Sequence, residues 1–307
     1  MHKITLRIVL VVVVTTLPLY ADKASVAKEA ECSDWLLVSN WKNNNVKIFD
    51  ECSGQFVREL DKQGLIDGPL GILETPDGDV LVVSENNSRL IKFDRETLSS
   101  GNIVMEAGSE KRPFIEKPSG AVLARDGFLY VSSYGTNEIV KIDPATWTIV
   151  EHILKPGNNH IKGIDAGMQI TSDNYLLVPG YDSDNIIRIN LNNHEVTQFV
   201  PTGTEGLDAP RTILLREKEK EMLVTGERSN NIMVFNLETG AYLRTVAEVA
   251  RPTGLIADDE NHLIVNNHDT IFRVDYQGKT GQKLIPNGSG GLDSGTFVYR
   301  LDRKRGK

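Results

Sequence analysis

The sequence predicts an all-β fold, a six-bladed β-propeller closed by pairing of N- and C-terminal strands in one blade. Three observations carry this reading. The apolar runs are of strand length, are bounded by Gly, Pro, Asn, Asp and Ser, and show no sustained 3.6-residue period. One pattern also recurs six times, over residues 35–50, 80–94, 128–143, 175–190, 221–236 and 262–275. Each copy opens on or near an aliphatic stretch, crosses a polar loop and returns as a second strand ending in Asp or Asn. Finally, those end marks, Asp50, Asp94, Asp143, Asn190, Asn236 and Asp275, fall 39 to 49 residues apart, room for about four strands each, which is the period of a propeller blade.

In chain order, residues 1–21 read as an export signal. His2, Lys3 and Arg7 precede the apolar run at residues 8–14, and cleavage is expected near Ala21. The apolar run is short for a membrane span, so no span is expected once the signal is removed. Residues 22–32 form a lead-in segment, 33–303 the propeller and 304–307 a basic tail. The mature protein is expected in the periplasm or secreted, as a monomer. Its two cysteines suit such a compartment. In the first hairpin, paired residue numbers sum to 84 or 85, which sets Cys32 opposite Cys52. A disulfide there closes a loop of about 20 residues and contributes about 3 kcal/mol.

The first blade lacks its inner strand. Residues 295–301 match the inner-strand pattern and have no later hairpin to serve, so they are expected to pair with the strand at 35–40 and remove the free edges of the ring. Outer strands follow each Asp or Asn mark, at 56–60, 101–107, 148–154, 195–200, 241–246 and 281–285. Inner strands start at Gly71, Gly120, Gly167, Thr212, Gly254 and Thr296, small residues that let backbones crowd a central channel.

The stretch Gly68-Pro69-Leu70-Gly71-Ile72, followed by Pro76-Asp77-Gly78, Val80-Leu81-Val82-Val83-Ser84, Asn86, Arg89-Leu90 and Lys92-Phe93-Asp94, resembles an NHL repeat. Blades 3 and 6 carry much of it. Blades 4 and 5 depart, with Thr171-Ser172-Asp173-Asn174 and residues 216–221 in place of the Pro-Asp-Gly turn. The resemblance covers residues 33–303 and implies kinship with the gluconolactonase and streptogramin-lyase-like superfamily. That superfamily contains lactonases, lyases, esterase-like proteins and non-catalytic binding modules, so it implies fold more than activity.

Because antiparallel strands reverse at every turn, the hairpin loops and the loops leading into the inner strands emerge on the same face. The inner-strand loops bring Asp67, Lys117, Lys162, Asp165, Asp208, Arg211, Arg251 and Asp293 to that face. From both sets the expected ligand-binding residues are Trp41, Glu85 and Tyr134, then His160 on the inserted loop at 155–163, then Tyr181, Asp182, Arg228, Asn267 and Arg251. The leading expectation is an exported propeller that binds a small molecule, carbohydrate, peptide or protein partner through this face. The rival is a divalent-metal-dependent lactone or ester hydrolase or lyase. In the lactonases, the resemblance implies a divalent ion over the channel, calcium or another, polarising a carbonyl. The inner-strand starts here carry no carboxylate, so Glu85, Asp182 and Glu227 would have to hold the metal. In the lyases it implies a histidine base beside an acid, a role open to His268 with Glu227. Nucleic acid is not an expected partner. Net charge is −8, with 34 Lys and Arg against 42 Asp and Glu.

Overall fold

The computed structural model describes residues 34–60, 63–110, 114–278 and 280–304. The signal at 1–21, the lead-in at 22–32 and the end of the basic tail lie outside them. So does Cys32, while Cys52 sits in the turn after the strand Asn45–Asp50. Among the described residues no helix is long and apolar enough to cross a membrane.

Six four-stranded antiparallel sheets form the six blades. Blade 1 is completed from the far end of the chain. Gly295–Leu301 pairs with Trp35–Asn40, setting Leu37 against Tyr299 and Val38 against Val298. The predicted closure is therefore observed.

The recurring Asp or Asn marks have a physical cause. Each one's side-chain oxygen accepts a backbone N–H two or three residues on: Ser53 N to Asp50 at 2.9 Å, Thr97 N to Asp94 at 2.9 Å, Ala145 N to Asp143 at 2.9 Å. Asn192 N to Asn190, Thr239 N to Asn236 and Gln277 N to Asp275 complete the six, at 2.9, 2.9 and 3.0 Å. These are Asx turns, which start the outer strand on the face away from the hairpin loops.

A second device joins neighbouring blades. The last residue of five hairpin loops, Asn44, Ser88, Asn137, Asp184 and Asn230, has φ between 51° and 58°. From that left-handed position each side-chain oxygen accepts a backbone N–H of the next blade's inner-strand loop: Gly68, Lys117, Gly163, Ala209 and Arg251 at 3.0, 2.9, 2.6, 2.9 and 3.0 Å. Asn, Asp and Ser suit both tasks, since they tolerate the conformation and carry a short acceptor. In blade 6 the last loop residue is Thr270, whose hydroxyl donates to Asp269 Oδ1 at 3.0 Å instead. There the His268 carbonyl accepts Gly295 N at 2.6 Å.

Aliphatic side chains between adjacent blades make up the core, as with Leu73, Leu81, Val83, Leu129 and Val131 between blades 2 and 3. At the channel the inner strands nearly touch. A Cβ on Gly120 would lie 2.6 Å from the Ala166 carbonyl oxygen, and one on Gly167 would lie 2.3 Å from Thr212 Cα. Below the mouth, buried hydroxyls tie blade to blade: Ser39 Oγ to Leu70 O at 2.6 Å, Ser119 Oγ to Ile164 O at 2.7 Å and Thr212 Oγ1 to Thr253 O at 2.8 Å.

Candidate functional site

The first residue of every hairpin loop points to the same place. Trp41, Glu85, Tyr134, Tyr181, Glu227 and Asn267, one from each blade, all line a cavity of about 750 Å³ at the channel mouth. Each follows the second strand of its blade. Of the inner-strand loop residues, Lys117, Asp165, Arg211, Arg251 and Asp293 also line it, and Asp67, Lys162 and Asp208 do not. Lys42, His268 and Asp269 add further polar groups.

The cavity floor is an ion network carried by blades 4, 5 and 6. Arg211 Nε donates to Asp165 Oδ2 at 2.6 Å and its Nη1 to Glu227 Oε2 at 2.9 Å. The other Glu227 oxygen accepts Arg251 Nη2 at 2.6 Å and lies 3.1 Å from His268 Nε2. The side chains of Asp165 and Glu227 are 4% and 3% exposed, so this charge is held away from water. Burial alone would push the Glu227 carboxyl up, but the His268 hydrogen bond and the Arg211 and Arg251 guanidinium groups hold it well below the usual carboxylate range. Burial works against the Arg211 cation too, and is outweighed by the charges of Asp165 and Glu227, which push its pKa above the ordinary guanidinium value.

Glu85, in blade 2 and so opposite Glu227 in the ring, has the reverse bias. Burial and the Asp165 charge push its carboxyl up, against a 2.8 Å hydrogen bond from the Trp41 indole N–H. Tyr134 donates its hydroxyl to Asp182 at 2.8 Å, and burial together with that bond raises its pKa and keeps the phenol neutral. Tyr134 and Tyr181 meet edge to face at 6.5 Å, and the Tyr181 ring has Arg211 at 5.3 Å and Arg228 at 4.6 Å.

Three expected binding residues stand outside the lining. Asp182 and Arg228 sit on the rim, where Arg228 lies 3.8 Å from Asp182 and 3.5 Å from Asp208. His160 is exposed on the inserted loop, which Asn158 ties back to the Asn137 carbonyl at 2.7 Å. The three carboxylates expected to hold a metal each have their own protein partners: Arg211, Arg251 and His268 for Glu227, Trp41 for Glu85, and Tyr134 for Asp182. With guanidinium groups already on both Glu227 oxygens, this donor set does not fit a divalent cation. A weak alternative cluster lies on the far face, where ligand atoms of Asp258, Asp259 and His262 fall within 4.8 Å of one another. There Asp258 is paired with Arg273 at 2.5 Å and Arg300 at 2.9 Å, and Asp259 with His262 at 2.8 Å.

No protein-family profile matches the chain, and no curated protein does. Solved structures do. A chain from the crystal structure of a nidogen/laminin complex superposes with a TM-score of 0.71 at 8% identity, over 87% of this chain and 98% of that one. A protein of unknown function from Bacteroides caccae superposes with a TM-score of 0.67 at 16% identity, over the same shares. At such identities the likeness shows the fold alone: the chain is a six-bladed β-propeller.

Proposed function

We propose that the protein is an exported binding module of NHL type that takes a carbohydrate, or a polar segment of a peptide or protein, into the channel-mouth cavity. The observation that carries this reading is the convergence of one hairpin-loop residue from each of the six blades on a single cavity of about 750 Å³. That volume is within the range of small-molecule sites, about 300–1,000 Å³. The buried floor supports it further. A buried ion network stabilises a fold no better than apolar packing would, so its presence at the mouth is better explained by ligand orientation than by stability.

The rival hydrolase or lyase has one observation in its favour, the contact between His268 and Glu227 inside the cavity. Against it stands the occupation of Glu227 by two guanidinium groups. Thermal-shift screening of sugars and short peptides, run beside a lactone and ester hydrolysis screen with and without chelator, separates the two. Binding predicts a saturable rise in melting temperature that Tyr181→Ala removes. Chelator-sensitive turnover would replace the binding reading, and a protein that responds to neither screen would leave it without support. Export and the Cys32–Cys52 bridge belong to the same proposal. N-terminal sequencing of secreted protein should begin near Asp22, and thiol titration of the unfolded, unreduced chain should find no free thiol.

A further inference from the structure

We propose that the ligand of the channel-mouth cavity is a neutral saccharide, with a sugar ring lying against Trp41 and facing Tyr134 and Tyr181. The inference rests on the cavity being a binding site and names the chemistry that it accepts.

The aromatic groups are placed for it. Trp41 belongs to blade 1 and Tyr181 to blade 4, three blades apart in a ring of six, so they stand on opposite sides of the mouth. The polar atoms of Trp41 and Tyr134 are committed, the indole N–H to Glu85 and the phenol to Asp182. With those atoms committed, the rest of each lining side chain is aromatic carbon, which suits the C–H face of a pyranose. Tyr181 is held by the guanidinium groups beside it and forms the fixed opposing wall.

The charge count argues for a neutral ligand. The lining bases are Lys42, Lys117, Arg211 and Arg251, and the lining acids are Glu85, Asp165, Glu227, Asp269 and Asp293. Four bases, with His268 beside Glu227, thus face five acids, which leaves the lining close to charge balance. An ionic ligand would enter this balance as an uncompensated charge, whereas a polyhydroxyl ligand leaves it intact.

The hydrogen-bonding groups left over match hydroxyls. Asn267 lines the cavity, and its Oδ1 has no hydrogen-bond partner among the described residues but is enclosed, so a donor reaches it only with a turn of the amide. Arg251, with 63% of its side chain exposed, supplies donors, and Glu85 supplies the carboxyl oxygen that the Trp41 indole does not occupy. A sugar hydroxyl both donates and accepts, so one ligand type satisfies all three.

The test is calorimetric titration of the full chain, with tryptophan fluorescence in parallel. The neutral probes are maltotriose, cellotriose, chitotriose, mannotriose and xylotriose, and the charged probes are trigalacturonate and tripeptides of either charge. At least one neutral trisaccharide is expected to bind saturably, and Trp41→Ala and Tyr181→Ala should each weaken it about tenfold or more. Trp41→Phe should retain part of the affinity, and melting curves confirm that each variant is folded. Binding of only the charged probes, sensitive to the same substitutions, would overturn the saccharide and leave the cavity as a site. Absence of binding by every probe, or binding indifferent to both truncations, would overturn the cavity reading as well.

Discussion

The two faces of the disc are built from alternate turns of the same blades, yet a pair that recurs on the far face handles charge differently from the network at the mouth. On the far face, Lys92 reaches Asp77 at 2.6 Å and Lys141 reaches Asp126 at 2.8 Å, each across 15 residues within its own blade. At the mouth Arg211 and Glu227 share blade 5, but the other partners belong to different blades. Arg211 and Asp165 are 46 residues apart, Trp41 and Glu85 are 44 apart, and His268 and Glu227 are 41 apart. Each of these two far-face pairs repeats what its hairpin already fixes, and solvent screens it, unlike Asp258 and Arg300, which join blade 6 to blade 1. A mouth pair that joins two blades adds a constraint that no single blade supplies, and burial strengthens it.

The largest expected effect is at the mouth. Glu227→Gln removes the negative charge shared by Arg211, Arg251 and His268, and should destabilise the protein at pH 7 by about 3 kcal/mol or more in urea denaturation. Because the Glu227 carboxyl titrates below the usual range, its contribution is present above the unfolded value and is lost as pH falls through the folded one. The gap between wild type and variant should therefore persist at pH 4 and close only in stronger acid. A loss below 1 kcal/mol at neutral pH would put the mouth on the same footing as the far face.

Next comes the inter-blade staple. Asn137→Ala deletes the 2.6 Å bond to Gly163 N and leaves a residue at φ 56°, and should cost about 1–2 kcal/mol. Asn137→Gly relieves the backbone while still lacking the bond, so the difference between the two variants measures the conformation and the remainder measures the staple. Equal losses would show that the left-handed position carries no strain.

Glu85→Gln should act with the sign opposite to Glu227→Gln. The folded state raises the Glu85 carboxyl, so the wild type gives up stability as pH rises from the unfolded to the folded value, and the amide does not. The variant should melt higher than the wild type at pH 7 and together with it near pH 3. A lower melting point at pH 7 would show that the charged carboxylate is the stabilising form.

The smallest effect belongs to the far face. Lys92→Met should change stability by about 1 kcal/mol or less, and the change should shrink in high salt. A larger, salt-insensitive loss would erase the contrast between the faces.

The blade count and the ring closure were legible because both are written locally. Strand-length apolar runs and side chains that turn the chain at Asp50 or Asn236 need no knowledge of the rest of the molecule. Much of the cavity was legible for a related reason, since alternation along the second strand of each blade carries the first loop residue inward, as at Tyr134 and Tyr181. Asp182 and Arg228 stand one position further along their loops and turn to the rim, so membership of the right loop was too coarse a test for them. The pairing of Arg211 with both Asp165 and Glu227 depends on how three blades are set around the channel. Spacing along the chain placed all three on the correct face without revealing that they would neutralise one another and leave Glu227 unavailable to a metal.

Closure by Gly295–Leu301 also sets a schedule for the chain. The strand Trp35–Asn40 is among the first parts of the propeller to be synthesised, and the strand that covers its edge is among the last. At about 5–20 residues per second, the backbone edge along Leu36, Leu37 and Val38 waits tens of seconds for its permanent neighbour. Throughout that interval it is an open template for any other extended chain, so an edge that is paired in the finished blade must be protected from self-association while the ring is being made.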